Sequence, residues 1–133
     1  MGFMLDTNAC VELIRNQDAR ILRRIKRRKP DELSVSSVTL SELEYGAAKS
    51  ANPEKNRLAL AEFMTPLTVL PYDDTVAPVY GRVRAALEKQ GTPIGPLDTM
   101  IAAHALSLGL TVVTDNEREF RRVSGLRVQN WAK

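Results

Sequence analysis

Residues 3–8 read FMLDTN, three apolar side chains followed by a carboxylate, a hydroxyl and an amide. Phe3-Met4-Leu5 has the character of a short buried strand, and Asp6 brings a charge to its very end. Leu110 to Val113 is a second β-branched run, closed by Thr114, Asp115 and Asn116. Leu33-Ser34-Val35 and Leu67 to Leu70 read as two further strands, and Leu126 to Val128 as a last edge strand. Helical patterning fills the intervals. It runs through Val11, Leu13 and Ile14, then through a basic segment stopped by Pro30. It resumes from Thr39 to near Ala48, after Pro53, from Thr75 to Gln90 before Gly91, over Met100 to Leu108, and from Glu117 to Arg122. Thr92 to Leu97, with two prolines and a glycine, reads as a loop. Strands alternating with helices predict an α/β fold, a parallel sheet of four to five strands covered by helices on both faces.

A chain of 133 residues predicts one domain over 1–133, and 44% hydrophobic with 26% charged residues is ordinary for a globular protein. No apolar run is long enough to span a bilayer, and Asp6 and Glu12 interrupt any signal-like segment. The one cysteine, Cys10, excludes an internal disulfide and predicts a cytoplasmic protein. Charge is unevenly spread. Residues 15–29 carry +7 and the remainder −4, which together give the chain's +3. Within that stretch Ile21, Leu22 and Ile25 form an apolar stripe, with Arg20, Arg23, Arg24 and Arg27 opposite. Such a face is either solvated or a phosphate-binding surface; the split between a basic stretch and an acidic remainder favours the second.

In open α/β sheets, ligands bind at the carboxyl ends of the strands. Asp6 is the first residue beyond strand one, and Asp115 follows strand four. Glu42 lies in the helix after strand two, and Asp98 opens the alanine-rich helix behind a Pro-Gly-Pro loop. Four carboxylates from distant parts of the chain thus converge at one end of the sheet, and their repulsion calls for a cation. All-oxygen ligation favours Mg²⁺ or Mn²⁺. Each acid also has a simpler reading as a helix cap: Asp6 or Asn8, Glu42 in a Thr39-Leu40-Ser41-Glu42 capping box, Asp98 in a first turn, Asp115 or Asn116 before Glu117. Other chemistries fit poorly. His104, the only histidine, has no nucleophile partner in view, and neither a G-x-G-x-x-G nor a P-loop is present. A haloacid-type phosphatase would need a second Asp where Asn8 stands. Asp73-Asp74-Thr75 reads as the start of a helix.

FMLDTN, SSVTLSELEYGA, PIGPLDTMIAAHAL and VVTDNEREFRRV, in this order, cover nearly the whole chain. Together they resemble the PIN domain, and within it the VapC-type ribonuclease toxins of bacterial toxin–antitoxin pairs. The resemblance implies a PIN-like three-layer sandwich and a Mg²⁺-dependent endoribonuclease, with Mn²⁺ able to substitute. It implies Asp6 and Asp98 as principal metal ligands, with Glu42 completing or orienting the set. Many relatives carry the fourth acid where this chain has Asn116, so Asp115 or Asn116 fills that place. Thr7 and Thr114 become the hydroxyls that orient carboxylates, and Arg23, Arg24 and Arg27 the residues that hold RNA. The implied substrate is structured RNA such as transfer RNA, cut to 5′-phosphate and 3′-hydroxyl ends. The implied partners are a small VapB-type antitoxin and a second copy of the chain, with no membrane. Two alternatives stand beside it: a catalytically silent PIN-like RNA-binding or adaptor module, and a flap-type DNA nuclease, which would need an arch this chain lacks.

Overall fold

The first strand, β1 (Phe3–Leu5), is buried along its whole length. Side chains alternate across a strand, so Phe3 and Leu5 face one way and Met4 the other. Each face meets its own core. A computed structural model describes residues 2–17 and 19–132. Its elements follow in order as α1 (Thr7–Asn16), α2 (Ala19–Lys26), a 3-10 turn (Pro30–Glu32), β2 (Leu33–Ser36), α3 (Ser37–Ala48), α4 (Pro53–Met64), β3 (Thr68–Leu70), α5 (Ala77–Lys89), α6 (Pro96–Leu108), β4 (Thr111–Val113), α7 (Glu117–Phe120) and β5 (Val128–Gln129).

The five strands form one sheet in the order β3-β2-β1-β4-β5, every pair parallel. Phe3 and Leu5 pack with Cys10, Leu13, Ile21, Leu43, Leu60 and Trp131, the layer built by α1 to α4. Met4 packs with Val83, Leu87, Ile101, Ala105 and Phe120, the layer built by α5 to α7. This is the expected three-layer sandwich, with the sheet at the upper end of the expected strand count. The chain runs from β1 outward through β2 to β3, then returns to β4 on the other side of β1. The sheet therefore has its switch point between β1 and β4, where a crevice opens at the carboxyl ends. The bond from the Asp6 N–H to the Val113 carbonyl, 3.0 Å, extends the ladder to that crevice.

Several element ends differ from expectation, each for a local reason. The segment after Val11 is two helices, because Gln17 takes a left-handed conformation (φ 46°) and its N–H closes α1 on the Leu13 carbonyl. Asp18, the one acid of the basic stretch, lies outside the described residues. The second helix ends at Lys26, ahead of Pro30, so Arg27 stands in the following turn. Helix α3 starts at Ser37 instead of Thr39, since the Ser36 hydroxyl caps it by accepting from the Val38 N–H. Helix α6 starts at Pro96, a residue suited to a first helical position, which shortens the expected loop.

Candidate active site

Asp6 is fully buried. Its Oδ1 accepts from the Ala9 N–H at 2.8 Å, so it does cap α1. Capping uses only one oxygen. The other, Oδ2, is buried and completes no hydrogen bond. Burial pushes this carboxyl up to about 7; the nearby Thr114 hydroxyl and the Ala9 amide work against that, while the charges of Asp98 and Asp115 add to it. Asp98, half-buried as the third residue of α6, is raised as well, by burial first and then by the charges of Glu119 and Glu42. Electrostatics thus ties together acids from the ends of β1 and β4 and from α3, α6 and α7.

Glu42 is no capping-box residue, because the cap of α3 is Ser36, six residues earlier. It instead accepts from the Thr7 hydroxyl at 2.8 Å, and Thr7 Oγ1 lies 3.2 Å from the buried Thr39 Oγ1. Thr114 is buried at the end of β4, its hydroxyl accepting from the Asn116 N–H at 2.8 Å, which shapes the turn that carries Asp115. Asp115 is exposed at the rim and Asn116 half-buried. Sequence reasoning misses Glu119, yet its charge is the larger of the two acting on Asp98. Its signal is the spacing Asp115-x-x-x-Glu119, one helical turn, at the start of a short helix.

The remaining candidates separate cleanly. His104 is buried, with Nδ1 2.8 Å from the Ser36 Oγ and its ring edge-on to Tyr72, so it serves the interior. Cys10 is a core residue whose thiol burial pushes up. Asp73 accepts from the Thr75 N–H at 3.0 Å, as a helix-starting residue should. In the basic stretch, Ile21 is buried and Leu22 and Ile25 pack on the core, leaving Arg23 and Arg27 exposed and Arg24 half-buried. Arg28 is withdrawn from that face: its guanidinium lies 4.5 Å from the Phe3 ring centre and 5.7 Å from that of Trp131.

The acidic set fits a hard divalent cation. Its donors are carboxylate oxygens, one of them buried and unpartnered, and the acids raise one another's affinity for protons, which a cation would displace. Among the described residues no three acidic side chains stand close enough to enclose an ion unaided. An ion that keeps several of its waters suits that spacing.

An open parallel sheet with acids from several elements gathered at its switch point defines the PIN class of α/β fold. The chain belongs to the PIN domain family, whose model matches residues 3–126, and PIN-domain nucleases use divalent metal ions. It is 48% identical over 132 residues, 99% of each chain, to the "tRNA(fMet)-specific endonuclease VapC" of Shigella flexneri. It is 44% identical over 131 residues, 98% of each chain, to "Ribonuclease VapC2" of Haemophilus influenzae. Among solved structures, DNA-bound VapBC from Salmonella typhimurium superposes with a TM-score of 0.94 at 46% identity, covering 98% of both chains. VapBC-1 from nontypeable Haemophilus influenzae gives 0.92 at 37% identity over the whole of both.

The buried Asp6 carries a prediction about pH. Its folded-state pKa lies above the unfolded value, so the protonated acid is the form that folding favours. Metal-free protein should lose stability as pH rises from about 4 to 7, by on the order of 4 kcal/mol from this group. Thermal melts in EDTA at pH 5 and pH 8 check this: Asp6→Asn should melt higher than the parent at pH 8 and show a much flatter pH dependence. Equal pH dependence in the two proteins would contradict the assignment.

Proposed function

We propose that this protein is a Mg²⁺-dependent endoribonuclease, with Mn²⁺ able to substitute, and the toxin of a toxin–antitoxin pair. It acts in the cytoplasm on transfer RNA or similarly structured RNA, as one PIN domain over 1–133. The observation that carries this reading is the buried Asp6 Oδ2, unpartnered and pressed by the charges of Asp98 and Asp115. Asp6 and Asp98 would hold the ion, with Glu42 oriented by Thr7 completing the set and Asp115, Asn116 and Glu119 bordering it. When bound, the ion supplies neutralisation of phosphoryl charge and a lowered pKa for water. The chain's own residues do the rest. A carboxylate of this acidic set would receive the proton of an attacking water. Attack in line on phosphorus releases the 3′-hydroxyl and leaves a 5′-phosphate. No covalent nucleophile is required, in keeping with a buried Cys10 and an occupied His104. Arg23, Arg24 and Arg27 would hold the RNA backbone beside the acids, giving position without sequence information. Retention of Asp6, Glu42 and Asp98 argues against a silent module.

The antitoxin also has a physical rationale. Helices α3 and α4 and strand β3 border a groove of about 620 Å³ lined by Leu40, Leu58, Met64 and Val69, with Leu58 69% exposed. A second recess between α1, α3 and α4 is lined by Val11, Ile14, Leu43 and Leu60 and includes Glu42. An apolar helix laid along these helices would end beside the acids, where a guanidinium could take the place of the ion. That is how we read the VapBC pairing for this chain, with a second copy completing a hetero-oligomer.

Purified protein should cut transfer RNA with Mg²⁺ and not in EDTA, and Asp98→Asn should lower cleavage by at least about 100-fold while circular dichroism stays unchanged; undiminished cleavage by the variant would overturn the reading. Changing Arg23, Arg24 and Arg27 together to Gln should weaken RNA binding and reduce the slope of log affinity against log salt by roughly one for each phosphate no longer neutralised. An unaltered slope would assign that face to solvent. Expression of the chain alone should arrest growth and co-expression with its antitoxin restore it, read as colony counts; normal growth with soluble folded protein present would favour the silent module.

A further inference from the structure

Two recesses flank the acids, one on either side of β1, and they differ in character. The recess beside Glu42 is mainly aliphatic. The other, about 230 Å³, adjoins Asp115 and is lined by Glu12, Arg20, Thr114, Asp115, Asn130 and Trp131, with aliphatic residues behind them. We propose that this second recess is a subsite for an unpaired guanine base next to the scissile phosphate, which rests on the ribonuclease reading above.

Position is the first argument. Thr114 and Asp115 belong both to this recess and to the surroundings of Asp6, so an occupant sits within a nucleotide of the acids. Size is the second. At ~30 Å³ per water the space equals about eight waters, which is the scale of a nucleobase. Chemistry is the third. Two carboxylates in the lining repel a phosphate, whereas a neutral base can satisfy an acceptor and a donor set at once. Guanine places its N1–H and N2 amine side by side for one carboxylate, and its O6 and N7 for a guanidinium. Each of the other bases presents a single amine or imine donor group on that edge. Glu12 and Arg20 supply the two complementary groups.

The lining is also held in place before anything binds. Glu12 Oε2 accepts from the Asn16 side-chain amide at 2.6 Å. Asn130 donates to Glu117 at 3.3 Å and accepts from the Ala132 N–H at 2.9 Å. The Trp131 indole N–H donates to the Gln129 side chain at 2.9 Å, and its ring packs edge-on against Phe3 with centres 5.1 Å apart. Holding Glu12, Asn130 and Trp131 in this way reduces the ordering cost of binding.

The test uses the full chain in two arms. In the first, ¹⁵N-labelled metal-free protein is titrated with GMP, AMP, CMP and UMP. The Trp131 indole and Asn130 side-chain signals should move saturably with GMP and at least about fivefold more weakly with the others. Glu12→Gln and Glu12→Ala should each lose that selectivity while signals elsewhere remain in place. An equal response to all four nucleotides, or selectivity intact in both variants, overturns the proposal. In the second arm, randomised RNA is cut with Mg²⁺ and the new 5′ ends are sequenced. Guanine should be enriched at one fixed offset from the cut, and Glu12→Gln should bring that enrichment towards unity among the cuts that remain. Cutting without a guanine preference at any offset overturns the subsite and leaves the ribonuclease reading standing. RNA left uncut by the parent protein despite GMP binding overturns the ribonuclease reading, and with it the placement of the base beside a scissile bond.

Discussion

A carboxylate that folding buries without fully satisfying it organises this molecule. Asp6 stands at the end of the central strand, so its backbone belongs to the sheet while its side chain belongs to the crevice. One oxygen is used by the fold, as the cap of α1, and the other, with the Thr114 hydroxyl nearby, completes no hydrogen bond. An uncompensated buried oxygen of this kind costs free energy, and the neighbouring acids add to the cost. The packing of two complete apolar layers against the sheet offsets it. The interior is therefore stable enough to hold a site that is unfavourable on its own, and the unfavourable part is what gives a cation something to relieve.

Much of this is legible in the sequence because strand and helix signals agree with the eventual packing. FML, with apolar residues on both faces, reads as a buried strand, and Asp6 as the first residue beyond its end; its central place in the sheet comes from the pairings with β2 and β4. The Pro-Gly-Pro segment is legible as a break and Asp98 as a residue opening the helix behind it, although that helix begins earlier than read, at Pro96. Other features are decided by contacts distant in sequence. Whether Glu42 caps its helix or meets Thr7 depends on Ser36 taking the cap, and nothing local distinguishes Ser36 from Thr39. Glu119 lies on a helix of four residues, too short to show periodicity. Arg28 is one more base in a basic run until Phe3 and Trp131, from opposite ends of the chain, close around it.

The molecular surface divides its work around the same crevice. Arginines of α2 and the following turn present positive charge, the α3–α4 side presents aliphatic groove, and the β4 side presents mixed polar groups. On the readings proposed above, a polyanion, an apolar helix and a neutral base ring would each take a different border of the acids. Arg20 of α2 lines the recess beside Asp115, so the positive border and the mixed polar border meet at that residue.

The sheet order also sets a timetable. Strand β1 pairs with β2 early in the chain but with β4 only through Phe3↔Thr111 to Leu5↔Val113, more than a hundred residues later. The N–H of Asp6 is likewise anchored on Val113. During synthesis, Asp6 leaves the ribosome first among the acids and must wait for the last sixth of the chain before its surroundings exist. At about 5–20 residues per second that wait lasts several seconds. A nascent chain lacks the β4 side of the crevice through this interval, however long its N-terminal half has been folded. A cell that translates the chain thus has those seconds in which a neighbouring small protein can be made, folded and brought alongside before the first competent crevice closes.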